Sequence, residues 1–333
     1  MWILTVLFMM AFSPLLAADL EEWKRSEDWE VALTQALELT RQEKFAEAGA
    51  LYANLYAAAE AFQFPLQMKA KCLNNYGSML LRSGRVAEAQ KNFQESASYW
   101  SRSAGVESEE HATTLGNLGE AFRKSGRYAE AEASYQQSLR IREAISKREP
   151  LRMATTLSNL GDLQRLQRRF PEAEVSFQRA LQLRQQLLGS RHHDVGVSLN
   201  NLAVLRQDTG DTAAAEKLYR EAIAIYEEGK PVDKEALAGT LNNLSDLLLA
   251  AQRHADAEPL LLKGYEGMKQ RQDKIPKEGE VRLTEAIDRL KRHYDRCETL
   301  WLKKQMRMSR NMIFATIKVV KSWDLSQFMA MGK

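Results

Sequence analysis

Apolar positions along most of this chain recur at three, four and seven residues, not at two. Leu115, Leu118 and Phe122 stand at i, i+3 and i+7, so they share one face of a helix. The pattern stops at Gly126 and restarts with Tyr128, Ala131 and Tyr135. A glycine after the last apolar position is where a helix ends in a left-handed turn. The stretch therefore reads as helix, tight turn, helix.

The same stretch repeats. Asn75-Tyr76-Gly77 returns as Asn117-Leu118-Gly119, Asn159-Leu160-Gly161, Asn201-Leu202-Ala203 and Asn243-Leu244-Ser245, each step being 42 residues. Three further columns keep that step: Leu73 to Leu241, Ala89 to Ala257, and the aromatic series Phe93, Tyr135, Phe177 and Tyr219, which ends at Leu261. A fixed period of this length means an array in which each unit buries its apolar face on its neighbours. Gly119 and its small equivalents let the second helix of a unit approach the first. Gly84, Gly126 and Gly210 mark the turns, with Gln167 and Gln252 near the corresponding turns of the other two units. Arg85-Val86, Arg127-Tyr128 and Arg169-Phe170 open the second helices, and Pro171 suits a first helical turn.

These marks assign the chain as follows. Residues 1–18 form a signal peptide, and 19–66 form a degenerate first unit in which Phe45-Ala46-Glu47-Ala48 and Tyr52 repeat the later pattern at a step of 41. Residues 67–270 form five repeats, 271–300 a capping helix and 301–333 a basic tail. Coil is expected near 102–108, 147–150, 188–193, 229–233 and 271–278. Gly and Pro are sparse and Ala, Leu, Glu, Gln and Arg abundant, which suits an all-α fold.

The marks match the pattern W-x2-L-G-x2-Y…A-x3-F of tetratricopeptide repeats. The period of 42, and the run His193-Asp194-Val195, Ser198 to Ala203, Gly210, Ala215-Glu216, Tyr219 and Ala222, resemble the kinesin-light-chain type of that array. The resemblance implies a right-handed superhelical solenoid that binds a protein or peptide in a concave groove lined by the first helices. It places the Asn of each triplet in that groove, together with the residues one, three, six and seven places from it. The candidate binding residues are then Asn75, Asn117, Asn159, Asn201 and Asn243, with Arg123 and Arg165. An amide can donate to and accept from a peptide backbone. The same amides could equally bond between adjacent helices, and both readings stand. Lys71, Arg82, Arg123, Lys124 and Arg165 share the first three units with Glu120 and Asp162, and Asp208 and Asp246 follow. They form either a seat for an acidic or C-terminal carboxylate ligand or a solvated mixed-charge face.

Charge changes the picture only at the end. The whole chain carries +3, but from Trp301 onward seven cations face the single acid Asp324. That tail can meet an anionic membrane surface, dock a partner or fray. The overall balance gives no reason to expect nucleic acid. Trp2 to Leu16 is nearly all apolar, with Ala17 and Ala18 after it, so export to the periplasm or beyond is expected. No cation precedes the run, which leaves an uncleaved anchor as the alternative. Cys72 and Cys297 lie five repeats apart, roughly 40–50 Å at about 10 Å per packed layer. That is too far for a bridge, so two free thiols are expected. His192-His193-Asp194 is better read as a helix start capped by Asp194 than as a metal site. The sequon at Asn243 is rejected because it lies mid-helix. No phosphate loop, dinucleotide fingerprint or catalytic motif is present, so no cofactor, metal or enzymatic role is expected.

Overall fold

The computed structural model describes residues 20–103, 108–145, 150–229 and 234–269. The expected signal peptide, the expected capping helix of 271–300, Cys297 and the basic tail sequence lie outside the described residues. Among the described residues there is a short 3-10 turn, Glu21–Trp23, followed by α-helices and no strand. In chain order the helices are α1 Ser26–Arg41, α2 Phe45–Ala61, α3 Leu66–Arg82, α4 Val86–Arg102, α5 Glu109–Lys124, α6 Tyr128–Ala144, α7 Pro150–Leu166, α8 Phe170–Leu188, α9 His193–Asp208, α10 Thr212–Glu228, α11 Lys234–Ala250 and α12 His254–Lys269. They form a solenoid of helical repeats. The helices end at or near the expected breaks, except that Pro150 opens α7 and does not close a coil.

The chain divides into two compact units, one ending at Ala180 and one beginning at Leu181. In the first, α1 pairs with α2, α3 with α4 and α5 with α6, and each pair packs on the next. In the second, α9 pairs with α10 and α11 with α12, and α10 packs on α11.

The glycine of each triplet is required by contact. A Cβ added at Gly77 would meet the Phe93 ring at 2.8 Å, one at Gly119 the Tyr135 ring at 2.7 Å, and one at Gly161 the Phe177 ring at 2.8 Å. These rings, and Tyr219 in the second unit, are almost wholly buried. Ala203 and Ser245 fill the triplet place there. Gly196 makes a further seat of this kind, 2.7 Å from the Tyr226 ring.

The corners are as regular as the core. A residue with positive φ follows each first helix: Glu43, Gly84, Gly126, Arg168, Gly210 and Gln252. In the third full unit that place falls on Arg168, one residue beyond Gln167. The residue after each corner donates its N–H back to the final turn, as from Arg85 to Leu80 O at 2.8 Å and from Arg127 to Phe122 O at 2.9 Å. These bonds satisfy carbonyls that a helix end otherwise leaves open.

One local expectation is corrected. Asp194 does not cap α9; it sits in the first turn. His192 is the cap, its Nδ1 accepting from the Asp194 N–H at 3.2 Å. The chain turns helical two residues earlier than the Asp signal suggested. Cys72 is buried and free, and burial pushes its thiol well above the ordinary range.

Two outcomes follow from this packing. Gly119→Ala drives a Cβ into the Tyr135 ring and should cost about 1–3 kcal/mol, read as a lower denaturant midpoint with helicity retained. Arg168→Gly relieves a left-handed non-glycine corner and should raise the thermal midpoint by about 2–4 °C.

Candidate partner-binding face

The first helices carry the asparagine column. In the first unit these are α3, α5 and α7, with Asn75, Asn117 and Asn159. In the second they are α9 and α11, with Asn201 and Asn243. All five side chains are half-buried, placed between the leucines of the core and the open face. The leucines fix that position: Leu73, Leu115, Leu157, Leu199 and Leu241 lie two residues before each Asn and are buried.

The five are not used alike. Asn117 Nδ2 donates to Asn74 Oδ1 across α3 and α5 at 3.0 Å. Asn243 Nδ2 donates to Asn200 Oδ1 across α9 and α11 at 3.2 Å, and Thr240 Oγ1 donates to the same oxygen at 3.2 Å. Asn75 Oδ1 accepts a bond from Asn74 Nδ2 at 3.4 Å. Asn159 and Asn201 form no such side-chain bond within their units. The difference lies one residue upstream. Positions 74 and 200 hold Asn, which supplies the acceptor. In the first unit, position 116, which should serve Asn159, is Gly and supplies no side-chain acceptor. The doubled Asn of 74–75 and 200–201 was the available signal.

Lys71 and the arginines beside the column are engaged, while Lys124 is exposed. Arg123 grips Glu120 through two bonds of 2.7 Å and lies 3.6 Å from Asp162. The Glu120 hydrogen bonds, ahead of the opposing cost of burial, hold the Arg123 guanidinium above its ordinary value. Arg165 donates to Asp162 at 2.9 Å. Lys71 reaches Glu30 at 2.7 Å and Arg82 reaches Glu43 at 3.7 Å. Apart from Lys124, the cations of the face stand in closed pairs. A carboxylate arriving at Arg123 or Arg165 would have to displace one of these acids.

Buried arginines one repeat apart were not anticipated. Arg142 is about as buried as a core leucine, and donates to Glu109 at 2.8 Å, Thr113 at 3.0 Å and Arg152 O at 2.8 Å, besides Thr156. In the second unit Arg184 donates to Ser198 Oγ at 2.6 Å; burial lowers its pKa. Their 42-residue spacing could have disclosed them. Buried ions of this kind are costly to orphan, so they define the seam between one repeat and the next.

Among the described residues no group of three or more His, Cys, Asp or Glu side chains is placed to hold a metal ion. No described helix is long and apolar enough to cross a membrane.

A tetratricopeptide repeat family model matches residues 68–144 and 152–228. These are tetratricopeptide repeats. Such repeats generally act as scaffolds for protein interactions and are not typically enzymes. BtubC (BKLC) from P. vanneervenii is similar in structure over 75% of this chain and 93% of its own, with a TM-score of 0.56 and 20% identity. A putative kinesin light chain from Podosopora anserina, with nearly identical TPR-like repeats, aligns over 59% of this chain and 93% of its own, with a TM-score of 0.53 and 16% identity. A tetratricopeptide repeat protein from Parabacteroides merdae aligns over 88% of this chain and 99% of its own, with a TM-score of 0.52 and 16% identity. At these identities the likeness is one of fold. No curated protein matches the chain.

Asn117→Ala removes a bond between successive repeats and strands the Asn74 acceptor. It should lower stability by about 0.5–1.5 kcal/mol, read from equilibrium unfolding in urea.

Proposed function

We propose that this array is an interaction scaffold that holds an extended peptide or protein segment along its first-helix face. The observation that supports this is the half-buried asparagine column, in which Asn159 and Asn201 are not spent on bonds within their units. Asn is a mediocre helix residue, and an amide with open donor and acceptor capacity suits main-chain recognition. The closed pairs at Arg123 and Arg165 favour a neutral main-chain contact over a carboxylate as the grip. The apolar run from Trp2 to Leu16 supports action in the periplasm or outside the cell.

A second reading is a structural subunit of an envelope complex that docks through its outer face and basic tail. It draws support from the seven cations after Trp301.

Affinity capture from the native compartment, with mass spectrometry, separates the two. Chains carrying Asn159→Ala or Asn201→Ala should retain helicity and recover at least about tenfold less of the partner, a loss equivalent to about 1.4 kcal/mol. A chain ending at residue 300 should still recover it. Loss of the partner on that deletion, with both asparagine variants silent, would reject the scaffold reading in favour of the second.

A further inference from the structure

A cavity of about 320 Å³ lies within the second unit, between the end of α8 and α10. Its volume is at the small end of what ligand sites offer. Val195 and Leu199 of α9, with Ala224 and Ile225 of α10, give it an apolar lining. Val195 and Leu199 are buried members of the core, so the cavity opens onto that core. Gln185 of α8 and Glu221 of α10 stand at its rim, where Arg191 and Glu228 also meet as an ion pair. None of these residues belongs to the asparagine column.

A missing tie leaves the rim open. One period earlier, the places of Gln185 and Glu221 hold Glu143 and Arg179, which bond at 2.8 Å. One period later they hold Glu227 and Lys263, which bond at 2.7 Å. Each of those pairs joins one second helix to the next. Among the described residues neither the Gln185 nor the Glu221 side chain has a partner. Glu221 is exposed, and because Arg191 is matched by Glu228 the rim carries one net negative charge.

A group that fits is therefore apolar with a cation beside it. An open rim and one exposed carboxylate bind weakly, since an exposed ion pair contributes little. Such a site fills when its ligand is tethered, because a linked segment meets it at an effective concentration on the order of mM. The chain carries a segment of this chemistry. In 310–321, Met312, Ile313, Phe314 and Ile317 are followed by Lys318 and Lys321. Roughly 40 residues separate that segment from Lys269, and even at the rise of a helix these span about 60 Å. The cavity lies within two layers of α12, about 20 Å, so reach is not limiting.

We infer that the cavity between α8 and α10 is the seat of the chain's own segment 310–321, with Phe314 over Val195, Leu199 and Ile225 and the ammonium of Lys318 or Lys321 at Glu221. The seated cation supplies the half of the tie that Arg179 and Lys263 supply in their own layers. This site is separate from the asparagine column and does not depend on what the column holds. An envelope partner that takes the tail has first to displace it from this seat.

The test is made on the full chain with p-benzoylphenylalanine in place of Phe314. Irradiation should link that side chain to residues lining the cavity, in a product of monomer size, as located by proteolysis and mass spectrometry. Gln185→Glu combined with Glu221→Lys copies the pair found one period later and closes the rim. The link should then fall about fivefold or more, through loss of the acid and repulsion of like charges, with circular dichroism unchanged. Lys318→Glu combined with Lys321→Glu changes only the tail; it should cause the same loss and serves if the first variant fails to fold. Val175→Ala, at an exposed position of α8, is the control and should link as the native chain does. Links to other parts of the chain, a product of dimer size, no link at all, or native yield in either folded charge variant overturns the seat.

Discussion

The structure depends on the contact between a small residue in the first helix of each unit and an aromatic ring in the second. Gly77 against Phe93, Gly119 against Tyr135 and Gly161 against Phe177 bring two helices closer than a methyl group would allow. A ring seated on bare backbone fixes both the distance and the rotation of the pair. Once these are set, the leucines two residues before each Asn must point inward and the asparagines must stand at the edge of the open face. The tyrosines add a polar tie. Tyr135 donates to Glu120 at 3.2 Å and Tyr219 to Gln207 at 2.9 Å, so the ring also positions residues on the candidate face. Packing and recognition are therefore one arrangement.

Repetition makes the exceptions informative. An array that restates each solution every 42 residues supplies its own control at every layer. The bonds from Asn117 to Asn74 and from Asn243 to Asn200 show what the column does when an acceptor is available. Gly116 shows where that acceptor is withheld. The closed pairs around Arg123 and Arg165 bear on partner chemistry in the same way. Guanidinium groups that looked available as a carboxylate seat are occupied by acids of the same face.

Much of the fold was legible in the sequence, because a repeat converts weak signals into a strict register. Helix bounds, the glycine corners and the ring seats all followed from marks at a fixed spacing. What escaped depended on contacts between units at offsets that the marks did not cover. The Asn74–Asn117 bond spans 43 residues, one more than the period, so a comparison of equivalent positions passes over it. Arg142 and Arg184 sit in a column begun by Trp100 and continued by Tyr226, in which a buried cation replaces an aromatic ring, and a composition-based reading treats arginine as surface. His192 displaced Asp194 as the cap because the helix starts two residues sooner, and side-chain preference alone does not resolve that.

The corners carry a last consequence. Their positions keep a stride of 42 from Gly84 to Gln252, and 41 from Glu43 to Gly84, although α8 has 19 residues where α9 has 16 and α10 has 17. The conserved quantity is the pitch between corners; helix and connector lengths trade against each other inside it. The hairpin is thus the gear tooth and the connector the slack. New sequence added to this chain is accommodated most cheaply in the connectors between one pair and the next, and least cheaply at a corner, where one residue more or less would turn every following ring off its seat.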